Sequence, residues 1–204
     1  ERVVCHGGGG VSQGPDWWGN DYFDDTYMED DVPRAFEGYC TDVFFREALS
    51  FIEEHREEPF FAYISTNAPH GPYNVPPKYQ ALYADQAETE DYARFLGMIT
   101  NIDENVGRLF AKLDELGIRE NTIVVYLNDN GPNTRRYVGN MRGMKTEVDD
   151  GGIRTPLLFY WPARVAAERT SDALCAHIDL FPTILDACDV QLPAEHQIDG
   201  RSFL

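Results

Sequence analysis

The sequence is poor in positive charge. Its 17 Lys and Arg stand against 35 Asp and Glu, a formal net charge of −18, so the basic footprint of most nucleic-acid binders is missing. Nucleic acid is therefore not an expected partner. No apolar run approaches the ~18 residues of a bilayer-spanning helix, so no membrane span is expected. The four cysteines, Cys5, Cys40, Cys175 and Cys188, lie far apart and form no Cys-x-x-Cys, which argues against a zinc ribbon or a thioredoxin-type redox site. Four in 204 residues are too few for a disulfide framework, and buried free thiols are the expected state. There is no initiator Met, no basic leader and no apolar core of a signal peptide, so the chain reads as an internal piece of a longer protein.

What is present is an ordinary globular composition, 43% hydrophobic and 13% aromatic, in one domain or part of one. Residues 1–40 are rich in Gly, Asp and aromatics without periodicity and are expected to form an extended loop region. Residues 41–204 read as the α/β portion. Thr41 is the expected N-cap of a helix reaching about Arg56, with Phe45, Ala48, Leu49 and Ile52 at helical spacing. A second helix carries Tyr92, Phe95, Leu96, Ile99, Ile102, Val106, Leu109, Phe110, Leu113 and Leu116 on one stripe and stops at Gly117. Buried strands are expected over 60–65, 122–127 and 156–161, and Asp179 caps a short helix through Ala187. Helices alternating with continuous apolar strands predict an α/β fold, a mostly parallel sheet with helices on both faces.

In such sheets ligands bind beyond the carboxyl ends of the strands. Two segments qualify: Asn67-Ala68-Pro69-His70-Gly71-Pro72 after the first strand and Asn128-Asp129-Asn130-Gly131 after the second. Asp129 and Asn130 are hard oxygen donors suited to Ca²⁺ or Mg²⁺, though two donors fall short of the roughly 6–8 that calcium takes, and Asn-Gly is equally a turn signal. His70, between two prolines, is either a held imidazole or a surface residue. From Gly131 to Thr155 the chain has no periodicity, and Arg135, Arg136, Arg142, Lys145 and Arg154 outnumber Glu147, Asp149 and Asp150. That cationic island suits an anionic substrate or is a solvated basic loop. Gly7-Gly8-Gly9-Gly10 lacks the ending of a phosphate-binding loop and reads as a turn, and the cluster Asp16, Asp21, Asp24, Asp25, Glu29, Asp30 and Asp31 reads as a solvated loop without calcium-loop spacing.

Taken in order, these segments resemble a type I sulfatase. The resemblance rests on Ala68-Pro69-His70, Ile102-Asp103-Glu104-Asn105-Val106-Gly107, Asn128-Asp129-Asn130-Gly131, Arg142-Gly143-Met144-Lys145, Asp150-Gly151-Gly152-Ile153-Arg154-Thr155-Pro156, His177-Ile178-Asp179-Leu180-Phe181-Pro182-Thr183 and Asp199-Gly200. It implies an alkaline-phosphatase-like α/β sandwich, present here as a partial domain, and hydrolysis of sulfate esters by a formylglycine nucleophile beside Ca²⁺. Asp129 and Asn130 then match late calcium ligands, His70 the histidine at the sulfate or leaving-group oxygen, and Lys145 the sulfate-binding lysine. Arg135 and Arg136 are candidate substrate contacts. A sulfate ester, such as a sulfated carbohydrate, is the implied substrate, and a periplasmic, secreted or lysosomal location is implied by resemblance alone.

The departures from the family pattern are as informative. No Cys or Ser stands in Cys/Ser-x-Pro-x-Arg, and the early Asp pair and the upstream Lys and His of the family are missing. The chain thus resembles the later part of a sulfatase cut just before Glu1, and alone it is expected to be inactive. Asn128 replaces the usual Ser or Thr and Asp150 the usual Glu. A phosphodiester or phosphonate ester hydrolase of the same superfamily, or a non-catalytic binder of sulfated glycans, is the alternative.

Overall fold

The computed structural model describes residues 2–5, 17–192 and 195–204; Gly7-Gly8-Gly9-Gly10 and Asp16 lie outside them. Two compact units form, Glu1–Val165 and Ala166–Leu204. No helix among the described residues is long and apolar enough to cross a membrane.

The first unit is built on two long helices. Helix α1 spans Cys40–Glu54 and buries Val43, Phe44, Phe45 and Ile52. Its cap position is Tyr39, and Thr41, the expected cap, is fully buried inside the first turn. After the short α2 (Pro77–Ala81) comes α3, Glu90–Glu115, opened by Thr89, whose side chain accepts from the Tyr92 backbone N–H at 3.1 Å. It closes at Gly117, φ +70°, where the amides of Gly117 and Ile118 return to the carbonyls of Asp114 and Leu113. Only a residue at ease in the left-handed region makes that closure without strain.

The buried stripe of α3 is Ala93, Gly97, Met98, Asn101, Ile102, Asn105, Leu109 and Leu113. It differs from the expected apolar stripe in admitting two asparagines, while Ile99 turns outward. Asp42 of α1 supplies the reason: its Oδ1 accepts from Asn101 and Asn105, so the amides are buried with a partner. Gly97 lets α2 approach, since a Cβ there would sit 3.0 Å from the Tyr79 carbonyl carbon.

The described residues among 1–40 are more ordered than a loop. Strands β1 (Val4–Cys5), β2 (Thr26–Glu29) and β3 (Val32–Ala35) form an antiparallel sheet with β2 in the middle. The acidic cluster braces it: buried Asp25 accepts from the amides of Asp21 and Tyr22 and from the Tyr27 hydroxyl, Asp24 from the Gly38 amide, and Asp30 from the Val3 amide. Asp24, Asp30 and Asp31 have positive φ, which aspartate tolerates in turns. The expectation of a solvated loop fails for Asp25, which is buried on local amides, while Asp21, Asp24, Asp30 and Asp31 stay exposed.

Strands β4 (Val124–Leu127) and β5 (Leu157–Tyr160) pair antiparallel, with Val124 opposite Tyr160 and Leu127 opposite Leu157. The α/β class stands, but every described strand pairing is antiparallel where a mostly parallel sheet was expected. Between β4 and β5 the chain holds only the one-turn helix α4, Asp150–Ile153, too little for the crossover that parallel neighbours need. The run Phe60-Phe61-Ala62-Tyr63-Ile64-Ser65 is extended yet joins no ladder among the described residues. Phe60, Ala62 and Ile64 pack against the cluster of Phe45, Ile52, Leu109 and Leu113, whereas Phe61 and Tyr63 are 71% and 79% exposed. Strand-like alternation is satisfied there by one-sided burial alone.

The second unit holds a 3₁₀ turn, His177–Asp179, running into α5, Leu180–Ala187. Asp179 stands at the expected cap position but spends its carboxylate elsewhere, accepting from the amides of Arg201 (2.9 Å) and Ala176 (2.8 Å). Those two amides hold its carboxyl below the usual carboxylate value. Gly200 belongs to the same contact, since a Cβ there would fall 2.0 Å from the Ile178 carbonyl oxygen. The four cysteines are all free, with Cys40 buried and Cys188 exposed.

Candidate active site

The site grows from the carboxyl end of β4. Leu127 ends the strand, and Asn128, Asp129 and Asn130 follow as the chain leaves it. The Asp129 carboxylate is exposed and binds Asn130 twice, through the backbone N–H at 2.9 Å and through the side-chain amide. Because the Asn130 NH₂ is turned toward Asp129, its amide oxygen is left to accept or ligate.

The loop that follows folds back on this point through backbone bonds. Gly131 N–H donates to Gly152 C=O at 2.9 Å and Lys145 N–H to Pro132 C=O at 2.8 Å, which ties the Lys145 backbone to Pro132, two residues beyond Asn130. Gly151 N–H donates to Arg142 C=O, and the Thr155 hydroxyl to Asn128 C=O. This closeness demands the glycines. A Cβ on Gly131 would lie 1.9 Å from the Gly151 carbonyl oxygen, on Gly151 2.3 Å from that of Gly143, and on Gly152 2.3 Å from that of Glu147. The segment that shows no periodicity in sequence is therefore a compact backbone cradle.

His70 lies on the loop after the extended run. Its amide donates to the carbonyl of Asn67, which is buried, and its ring Nδ1 meets the Gly71 carbonyl oxygen at 2.7 Å. A carbonyl oxygen can only accept, so Nδ1 carries a proton and Nε2 is the nitrogen presented outward from an exposed side chain. Asn67 is anchored below by the Cys40 thiol, which donates to its Oδ1 at 3.3 Å.

The basic residues take different environments. Arg135 is exposed, Lys145 half-buried, and Arg142 pairs with Asp149 at 3.5 Å. Arg136 lies over the Phe95 ring, 3.6 Å from its centroid, and donates to the Tyr73 hydroxyl at 2.7 Å. The Tyr73 hydroxyl in turn donates to Asn133 Oδ1 at 3.4 Å. Through Tyr73 the structure thus joins the His70 loop to the loop carrying Lys145, while Arg136 points into an aromatic cluster. The Tyr73, Tyr92 and Phe95 cluster escaped the sequence reading, which took Tyr92 and Phe95 for plain core of α3.

Among the described residues no group of three or more His, Cys, Asp and Glu is placed to hold a metal ion. Asp129 and Asn130 have the donor chemistry of hard-cation ligands.

The sulfatase family model matches residues 7–190. The chain belongs to the sulfatase family. As a sulfatase it is 33% identical over 181 residues to N-acetylgalactosamine-6-sulfatase of Canis lupus familiaris, covering 84% of this chain and 33% of that protein. It is 31% identical to steryl-sulfatase of Rattus norvegicus over 187 residues, 84% of this chain and 30% of that one. Among solved structures, Ps i-CgsB in complex with k-i-k-neocarrahexaose superposes with a TM-score of 0.80 at 26% identity, over 86% of this chain and 40% of that one. The chain therefore spans about a third of the length of the curated relatives it matches, and its fold is the alkaline-phosphatase-like α/β fold of the sulfatases.

Proposed function

We propose that the parent of this chain is a sulfuric ester hydrolase acting on sulfated carbohydrate, and that His70, Lys145, Asp129 and Asn130 are its contribution to the active site. The observation that supports this reading is the cradle whose backbone bonds tie Lys145 to Pro132, two residues beyond Asn130, in a chain matched to the sulfatases over nearly its whole length. Family membership supports the reaction class, and the neocarrahexaose complex of a structural neighbour supports a carbohydrate substrate.

Hydrolysis at sulfur requires anionic oxygens to be held while the ester oxygen departs with a proton. Lys145 supplies the ammonium for the sulfate oxygens. His70, with Nδ1–H directed to the Gly71 carbonyl, keeps Nε2 for the leaving oxygen, and when the ring is charged it donates the proton there. Asp129 and Asn130 would hold Ca²⁺, which when bound adds positive charge against the same sulfate. The nucleophile, expected as formylglycine, has no Cys/Ser-x-Pro-x-Arg source in this sequence.

The test is the parent protein co-expressed with a formylglycine-generating enzyme and assayed on an aryl sulfate and an aryl phosphate diester, with and without Ca²⁺. Calcium-dependent sulfate release is the expected result. Preference for the phosphodiester would move it to the neighbouring hydrolase class, and turnover of neither would favour a glycan-binding role.

A further inference from the structure

The most committed cation of the basic loop is Arg136. Its guanidinium carbon lies 3.6 Å from the Phe95 ring centroid, 5.3 Å from that of Tyr73 and 5.9 Å from that of Tyr92. Tyr73 meets Phe95 edge-on at 6.1 Å and Tyr92 stacks on Phe95 at 6.1 Å, so the three rings form one box around one cation. Such a cation is held by the ring quadrupoles and is partly withdrawn from water, which leaves it poorly placed to bind a sulfate as well. The rings come from two places in the chain: Tyr73 is three residues beyond His70, and Tyr92 and Phe95 lie in the first turns of α3. Arg136 itself comes from the loop whose Pro132 carbonyl receives the Lys145 amide.

The Tyr73 hydroxyl is fixed from two sides, accepting from Arg136 and donating to Asn133. Both partners belong to the Lys145 loop. Below Tyr73 the His70 amide is bonded to Asn67, so the tie reaches the backbone that orients the imidazole.

Resting on the proposed reaction, we infer that Arg136 is a positioning residue: boxed by Phe95, Tyr73 and Tyr92, it locks the loop bearing Asn130 and Lys145 to the loop bearing His70. The sulfate-holding and leaving-group sides of the site then keep one separation. Loss of the lock affects proton delivery from His70 more than sulfate binding by Lys145.

Two readouts test it. Hydrogen exchange on this chain follows the His70 and Lys145 amides, both hydrogen-bonded. Arg136→Gln and, as a milder change, Phe95→Leu are expected to speed exchange at both amides by about tenfold and to leave α1 unchanged. Faster exchange at Lys145 alone, or at neither, overturns the inference. In the parent, Arg136→Gln is expected to lower kcat by about 10- to 100-fold on an aryl sulfate with a poor leaving group and by less than about 3-fold on nitrophenyl sulfate, with KM nearly constant and Arg136→Lys partly restored. Equal losses on both substrates with a raised KM would make Arg136 a substrate-binding residue and overturn the inference. A parent that cleaves no sulfate ester counts against the proposed function, and the exchange result still decides the lock.

Discussion

Asn105 of α3 donates its side-chain amide to Asp42 Oδ1 of α1 at 2.7 Å. Asn101, one turn earlier, donates to the same oxygen at 2.9 Å, and both asparagines are fully buried. One carboxylate therefore fixes the rotation of α3 on α1. Asp42→Ala is expected to cost about 2–3 kcal/mol, since two buried amides lose their acceptor together. Asn101→Ala, which leaves the Asn105 pair in place, is expected to cost less. Urea unfolding of the two variants compares them, and equal midpoints would refute the shared-acceptor account.

The Cys40 thiol is fully buried in the folded chain. Burial, the largest cause, pushes it up to about 12 from an ordinary 9.0, and burial likewise raises the phenols of Tyr27 and Tyr39. Iodoacetamide at about pH 8 is expected to modify exposed Cys188 and to reach Cys40 only on unfolding, as peptide mass spectrometry will show.

The same groups set an alkaline limit. The folded chain keeps these protons after the unfolded chain has released them, so their stabilisation is complete below about pH 9 and declines as pH climbs toward 12. The urea midpoint is expected to hold between about pH 7 and 9 and to fall above it. A midpoint constant to about pH 11 would be inconsistent with buried, neutral Cys40, Tyr27 and Tyr39.

Glycines of the cradle and of the helix differ in kind. Gly131→Ala would drive a Cβ into the Gly151 carbonyl oxygen, a backbone atom that cannot swing away, and is expected to unfold the loop and abolish parent activity. Gly107→Ala, in α3 with nothing within 4 Å, is expected to stabilise by about 0.5–1 kcal/mol. Thermal melts of both variants give the signs directly.

Lys145→Ala in the parent is expected to lower kcat/KM for an aryl sulfate by about 10²–10³-fold. Arg34→Ala, which removes an exposed strand residue paired with Glu29, is expected to leave it within about twofold. Similar losses would place the anion site elsewhere.

The sequence by itself determined the elements whose signal is local. The stripe of α3 with its Gly117 stop, the apolar runs of β4 and β5, and the short helix from Asp179 to Ala187 were legible because propensity, capping and periodicity act within a few residues. The candidate segments around His70, Asp129-Asn130 and Lys145 were legible for the same reason, as short motifs in a fixed order. Tertiary structure alone decided what pairs with what. The Pro59–Ser65 run is apolar enough for a strand but joins no described ladder, and β4 and β5 lie antiparallel because nothing between them provides a crossover. Asn101 and Asn105 are polar by type and buried by contact with Asp42, which is distant in sequence. Arg136 reads in the sequence as a candidate substrate contact, and only the packed chain brings Tyr73 and Phe95 around it. A residue's type and spacing record its own preference, whereas its partner depends on which distant surfaces the chain brings together, and that is a property of the packed whole.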